Sequence, residues 1–271
     1  MGLHHVLHDR LAGREHNSFY DRLPPGRVET RYLIATAGRA GSTLLCSRIG
    51  EYGVLGFPDE FLNEAFVERL DLVFPQPNLD DFEAYVSARF VSPNGVFGLK
   101  SDWWRFDAAR RHDLCRSFYE PLDLVVYLWR DDFVAQAVSY TLAVETQQWH
   151  ARDAVDGDLE TAQREVPYDG DKVETAARNI LNQEHMWSRF LAGCDAPVIR
   201  LSYEALTADP DEAVARIGET LGVDLPPREA APRMRKGRSG VGREWRERFA
   251  AERGEFIRFW NEHRGTMTAS A

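Results

Sequence analysis

The chain has 271 residues, 44% of them apolar and 28% charged, and a formal net charge of -10. That length holds one large α/β domain or two small ones. The acidic balance excludes a general nucleic-acid binder, because phosphate neutralisation dominates such binding.

No apolar run approaches the ~20 residues of a membrane helix, and Met1-Gly-Leu-His-His lacks a signal-peptide pattern. Cys46, Cys115 and Cys194 are too widely spaced for a disulfide framework or a metal pair. The expectation is a cytoplasmic protein with no membrane span, no nucleic-acid partner and no required metal. Residues 1–29 read as an N-terminal arm. His4 and His8 stand one helical turn apart there, but no cysteine or second cluster supports a metal, and Leu23-Pro-Pro-Gly26 breaks the arm from the first strand.

Arg31-Tyr-Leu-Ile-Ala35 then runs into Thr36-Ala-Gly38-Arg39-Ala40-Gly41-Ser42-Thr43-Leu-Leu. An apolar run ending in glycines and hydroxyls, then resuming at helical spacing, reads as strand, tight loop and helix start. Helix N-termini leave backbone N–H groups unpartnered and favour an anion. Gly38 and Gly41 permit close approach, Ser42 and Thr43 add hydroxyls, and Arg39 adds a forked cation. The standard ATP loop would place Gly at Thr36 and Lys at Ser42, and both are absent. A plain glycine turn with a surface arginine is the competing interpretation.

The helix from Ser42 stops at Tyr52 before Gly53. Past Pro58, the residues Phe61, Leu62, Ala65, Phe66 and Leu70 recur at helical spacing, which puts Glu60 at a helix start. Glu60 is there either a first-turn carboxylate favoured by the dipole or a general base. Two strands come next. Gly95–Leu99 leads to Lys100-Ser-Asp102, and Leu122–Leu128 leads to Trp129-Arg130-Asp131. In open parallel sheets ligands bind beyond the carboxyl ends of strands, where Lys100 and Arg130 are expected. Asp131 or Asp132 then caps a helix that carries Ser139.

A phosphoryl-transferring loop protein usually ends such a strand in an aspartate that helps hold magnesium. Here the residue beyond Trp129 is arginine, and a site of cations and backbone donors suits a phosphosulfate better. Residues 151–171 are acidic with little apolar period and read as a loop or lid. A helix is expected over Lys172–Leu191, then a strand over Pro197–Leu201 running into Ser202-Tyr203-Glu204. Asp209-Pro210 opens a further helix that Gly222 closes. The basic stretch Arg233-Met-Arg235-Lys236-Gly237-Arg238 reverses the local charge sign and can wrap a phosphate. Trp245, Phe249, Phe256 and Phe259 or Trp260 mark buried helix faces, and residues 264–271 read as a flexible tail after a single domain over 30–263.

In their order and spacing these pieces resemble the sulfotransferases that use 3′-phosphoadenosine-5′-phosphosulfate (PAPS), and most of all the bacterial trehalose 2-sulfotransferase family. The resemblance spans about Arg31 to Phe249, through Gly38–Leu45, Pro58-Asp-Glu-Phe61, Pro93–Lys100 and Arg130–Ser139. It implies a P-loop-like central parallel sheet flanked by helices, with PAPS as co-substrate. It also implies a phosphosulfate loop of Gly38, Arg39, Ala40, Gly41, Ser42 and Thr43. Arg130 and Ser139 match the pair that holds the 3′-phosphate, and Tyr203 falls at an adenine contact. Arg235, Lys236 and Gly237 match the element that closes over that phosphate, and Glu60 matches the trehalose family's proposed base. The cytosolic enzymes carry a catalytic histidine two residues after the lysine. Asp102 stands there in this chain, as a rival base to Glu60. Arg39 and Lys100 are expected to stabilise charge on the sulfuryl and leaving-phosphate oxygens.

The expected acceptor is a small hydroxyl compound, a sugar or another alcohol, since an acidic chain repels heavily sulfated polymers. The resemblance and the high frequency of twofold assemblies point to a homodimer. The alternatives are a small-molecule kinase with a divergent loop and a non-catalytic nucleotide-binding protein.

Overall fold

The strand before the glycine loop alternates its apolar side chains between two faces, and both are covered. Tyr32 and Ile34 are buried on one side, Leu33 and Ala35 on the other. This is the pattern of a central strand in a parallel sheet. The computed structural model describes residues 27–73, 78–149, 158–227 and 240–269, and there the strand is β1, Thr30–Thr36. The N-terminal histidines and Arg235, Lys236 and Gly237 lie outside the described residues.

β1 is paired in parallel with β2 (Val96–Asp102) on one side and β3 (Leu124–Trp129) on the other. β4 (Val198–Ser202) lies beyond β3, giving the order β2-β1-β3-β4. The chain steps from β1 outward to β2 and then back across β1 to β3, so the topology reverses at β1. Open α/β sheets bind ligands at such a point. The register brings the carboxyl ends level: Thr36 lies opposite Asp102 and Leu128, and Trp129 opposite Ser202.

Between the strands run α1 (Ser42–Tyr52), α2 (Glu64–Val73), α3 (Leu79–Phe90), α4 (Trp103–Arg111), α5 (Phe133–Thr146), α6 (Asp158–Glu165) and α7 (Gly170–Leu191). After β4 come α8 (Tyr203–Ala208), α9 (Pro210–Leu221), α10 (Gly240–Glu252) and α11 (Gly254–Ala269). One face of the sheet carries Phe61, Phe82, Phe97, Phe106, Phe118 and Trp187, and the other carries Leu45, Ile49, Val214 and Ile217. Truncating such a buried aromatic costs about 3–5 kcal/mol. The fold is the expected parallel α/β sheet flanked by helices.

Several elements depart from the sequence expectations. The helix after Pro58 begins at Glu64, because Asp59 forms a parallel bridge with Leu99 and its carbonyl accepts the Lys100 N–H at 3.1 Å. Glu60 therefore directly follows the residue bridged to β2, and its carbonyl accepts the Asn63 N–H at 2.8 Å, which closes a turn ahead of α2. Lys100 lies inside β2, which continues to Asp102 because its partner β1 continues to Thr36. Within the acidic stretch, residues 158–165 form α6, which lies against α5 and α10. The expected tail is helical: α11 runs to Ala269, and Arg264 is buried.

Candidate active site

The loop between β1 and α1 is shaped by two left-handed residues, Arg39 at φ 67° and Gly41 at φ 89°. A side chain at Gly41 is excluded twice, by that φ and because a Cβ would lie 2.6 Å from the Tyr203 ring. Gly41 also offers no capping side chain to α1, so the N–H groups of the first turn have no partner within the helix. Ser42 is buried and Thr43 exposed at this turn. Gly38 is fixed from α5, where Gln136 Nε2 donates to its carbonyl at 2.8 Å. A Cβ on Gly38 would lie 3.1 Å from the Tyr140 ring.

Two arginines converge beside this loop. Arg39 Nε donates to Ser139 Oγ at 3.1 Å, and its guanidinium also meets the Trp149 carbonyl. Arg130, just past β3, lies over the Tyr203 ring with its guanidinium carbon 4.7 Å from the centroid. Its Nε is buried and finds no acceptor among the described residues. Burial and the like charge of Arg130 together hold the Arg39 guanidinium below its ordinary pKa. Two cations and an orphaned donor beside an uncapped helix start make a place for an anion.

The turn that carries Arg130 is tied on several sides. Glu204 Oε2 accepts the Asp131 N–H at 3.0 Å, and Trp129 Nε1 donates to Asp131 Oδ1 at 2.8 Å. Asp132 caps α5 by accepting from Ala135 N at 2.9 Å, and Arg246 Nη1 reaches Asp132 Oδ2 at 2.9 Å. Sequence reasoning anticipated a cap here. Glu204, Arg246 and Gln136 were not anticipated, because each acts across a long sequence separation.

On the β2 side of the loop, Lys100 is 2% exposed, and its Nζ lies 3.1 Å from Glu60 Oε1. Asn63 Nδ2 donates to the other carboxylate oxygen of Glu60 at 2.6 Å. Burial pushes the Glu60 carboxyl up, but the Lys100 ammonium and the Asn63 amide outweigh it and leave Glu60 below its ordinary pKa. For Lys100 burial pulls down, while Cys46, Glu60 and Asp59 push up and prevail. The Cys46 thiol is itself pushed up to about 12 by burial. It is therefore neutral near pH 7, and the carboxylates hold the ammonium charged. Cys46 lies one turn into α1 from Ser42, so the Glu60–Lys100 pair stands beside the helix that begins at the loop.

Asp102 is differently occupied. It caps α4, accepting from Arg105 N at 3.0 Å, and it ion-pairs with the Arg105 guanidinium, which also meets Glu64 Oε2 at 2.9 Å. The ring of Tyr140 packs 5.6 Å from that of Trp149. Burial, then the Asp102 charge, raises the Tyr140 phenol. The structure thus brings Glu60 and Lys100 together on one flank of the loop, and Arg39, Ser139, Arg130 and Tyr203 on the other.

A parallel α/β fold with a glycine loop at its topological switch point, flanked by cations and a lysine-paired carboxylate, has the P-loop-like architecture on which group-transfer chemistry can be built. Comparison with known proteins supplies the particular group. The Stf0 sulphotransferase family model matches residues 31–252. Similar proteins include the trehalose 2-sulfotransferase of Mycobacterium tuberculosis, 25% identical over 263 residues that cover 83% of this chain and 96% of that one. The trehalose 2-sulfotransferase of Mycolicibacterium smegmatis is 26% identical over 259 residues, covering 81% and 94%. A solved sulfotransferase domain from the Synechococcus PCC 7002 olefin synthase aligns with a TM-score of 0.40 at 16% identity, over 83% of this chain and 90% of that one. The chain belongs to the Stf0 sulphotransferase family and is a sulfotransferase. Among the described residues no helix is long and apolar enough to cross a membrane.

Proposed function

We propose that this enzyme moves a sulfuryl group from PAPS to a hydroxyl of a small acceptor, a sugar first of all. The observation that carries this reading is the convergence of Arg39 and the orphaned Arg130 Nε beside the uncapped start of α1. Such a donor set fits a nucleotide that bears separate 5′ and 3′ anions. Residues 38–43 would hold the 5′-phosphosulfate, through the first-turn N–H groups, the Ser42 and Thr43 hydroxyls and the Arg39 fork. Arg130 and Ser139 would hold the 3′-phosphate, with the Tyr203 ring beside the nucleotide. Arg235, Lys236 and Gly237, outside the described residues, are proposed to close over it.

Bound PAPS supplies an activated sulfuryl group whose S–O bond to the 5′-phosphate breaks as the acceptor oxygen bonds to sulfur. Glu60 takes the proton of that hydroxyl. Being ionised at neutral pH, it is ready to do so. Lys100 would serve both partners: as its charge is shared with the sulfuryl oxygens, its hold on Glu60 weakens and the carboxylate becomes a stronger base. Arg39 and Lys100 stabilise charge on the sulfuryl and leaving oxygens, and preorganised donors of this kind are typically worth about 10²–10³-fold each. Asp102, engaged as cap and ion pair, is assigned to holding α4. Trehalose, the acceptor in the relatives' names, is the first candidate acceptor.

The test is transfer of labelled sulfate from PAPS to a panel of neutral sugars, with calorimetry of 3′,5′-adenosine bisphosphate against ATP-magnesium. Sulfated sugar and bisphosphate binding support the reading. Binding of ATP-magnesium without the bisphosphate would favour a kinase and overturn it.

A further inference from the structure

Near the end of α11 lies an arginine that is not part of the anion site around the β1–α1 loop. Arg264 is 6% exposed, and it meets Glu184 of α7, 1% exposed, through two bonds: Nε to Oε2 at 2.8 Å and Nη2 to Oε1 at 2.7 Å. The outer face of the same guanidinium reaches the turn after β3. Nη1 donates to the Asp131 carbonyl at 2.6 Å, and Nη2 donates to the carbonyl of Arg130. Its carbon also lies 5.5 Å from the centroid of the Phe133 ring, at the start of α5.

A bidentate carboxylate fixes the plane of a guanidinium, so its remaining N–H groups point in set directions. Here they point at the two carbonyls between the end of β3 and the start of α5. The backbone of Arg130 is thereby held from behind, while its side chain extends over Tyr203 and leaves Nε without an acceptor. A buried ion pair is weak evidence for stability by itself. This one is aimed at the backbone of a proposed ligand-binding residue, 134 positions away in sequence.

We propose that Arg264, oriented by Glu184, is a positioning residue that aims the Arg130 side chain at the 3′-phosphate of the nucleotide. The inference rests on the proposed role of Arg130 in holding that phosphate. Arg264 touches neither nucleotide nor acceptor. Its effect is on discrimination between ligands with and without the 3′-phosphate.

The experiment is calorimetric titration of the full chain with 3′,5′-adenosine bisphosphate and with adenosine 5′-phosphate, for wild type, Arg264→Lys, the pair Arg264→Met with Glu184→Gln, and Arg130→Ala. Arg264→Lys keeps a positive charge against Glu184 but loses the fork, so it decides the matter if the double variant does not fold. The expected result is a loss of roughly tenfold or more in bisphosphate affinity with adenosine 5′-phosphate affinity unchanged. Arg264→Lys should add little further loss in the Arg130→Ala background, since both act on one contact. A wild-type ratio of the two affinities in both Arg264 variants, or an equal loss for both ligands, overturns the positioning role. If Arg130→Ala itself leaves the ratio unchanged, the assignment of Arg130 fails instead, and this inference fails with it.

Discussion

The ammonium of Lys100, buried near the carboxyl end of the outer strand β2, lies 3.1 Å from the carboxylate of Glu60 in the segment beside it. This pairing joins the residue proposed to balance developing charge to the residue proposed to take the proton. It also depresses the Glu60 carboxyl, and that sets a pH signature. A carboxyl held below its ordinary value in the folded free enzyme gives a kcat/KM acid limb below the usual glutamate pKa of about 4.3. Lys100→Met removes the largest depressing influence and leaves the burial. Turnover should fall by about 10²–10³-fold, and the acid limb of the residual activity should move to higher pH. A pH–rate profile of the variant with an unmoved limb would separate Glu60 from the chemistry.

The same pair makes a smaller statement about stability. Because the folded pKa of Glu60 is depressed, its contribution is present above the unfolded pKa and is lost as pH falls through the folded one. Melting curves between neutral and acid pH should show a steeper loss for wild type than for Glu60→Gln.

Glu60→Gln should keep bisphosphate affinity within about twofold while turnover falls by about 10²–10⁴-fold, the usual worth of a positioned base. Asp102→Asn should behave otherwise. Asparagine keeps the α4 cap but loses the ion pair with Arg105, a change of about 1 kcal/mol or less in stability, with turnover largely kept. Steady-state kinetics and thermal melts on both variants check this. Loss of turnover in Asp102→Asn with survival in Glu60→Gln would exchange the roles.

Phe61, fully buried, places its neighbour Glu60. Its ring lies 4.7 Å from Phe90, 5.1 Å from Phe66 and 5.5 Å from Phe97. Phe61→Ala should cost about 3–5 kcal/mol by denaturant unfolding. It should also lower kcat in the folded remainder by loosening the Glu60 segment.

Gly41→Ala tests the loop. The left-handed φ costs an alanine roughly 1–2 kcal/mol, and its Cβ would strike the Tyr203 ring. Tyr203 must move, and with it the surface under Arg130. Calorimetry should show bisphosphate affinity reduced more than the melting temperature would suggest.

The parts of this site that were readable in the sequence are those set by local chemistry. α1 begins at Ser42 and ends at Tyr52 as expected, because Gly41 and Gly53 adopt left-handed conformations that glycine accepts and other residues resist. α9 likewise announces itself through Asp209, Pro210 and Gly222. What local pattern could not reveal is pairing at a distance. The bridge of Asp59 to Leu99 keeps Glu60 out of a helix, and the apolar spacing from Phe61 onward mimics a helix that starts too early. Lys100 looks like a strand-end charge until β1 is seen to run on beside it. Arg264 comes after a run of exposed and polar residues, and only Glu184, 80 positions earlier, reveals why it is buried.

The central claim is that Arg39 and Arg130 converge on one nucleotide carrying two separate anions. Its most direct measurement is calorimetric binding of 3′,5′-adenosine bisphosphate to wild type, Arg39→Ala, Arg130→Ala and the double variant, with adenosine 5′-phosphate as control. Arg130→Ala is predicted to lose about 1.5–3 kcal/mol for the bisphosphate and almost nothing for the monophosphate, while Arg39→Ala weakens both. Equal affinity of wild type for the two nucleotides, or no loss in either single variant, would contradict the account.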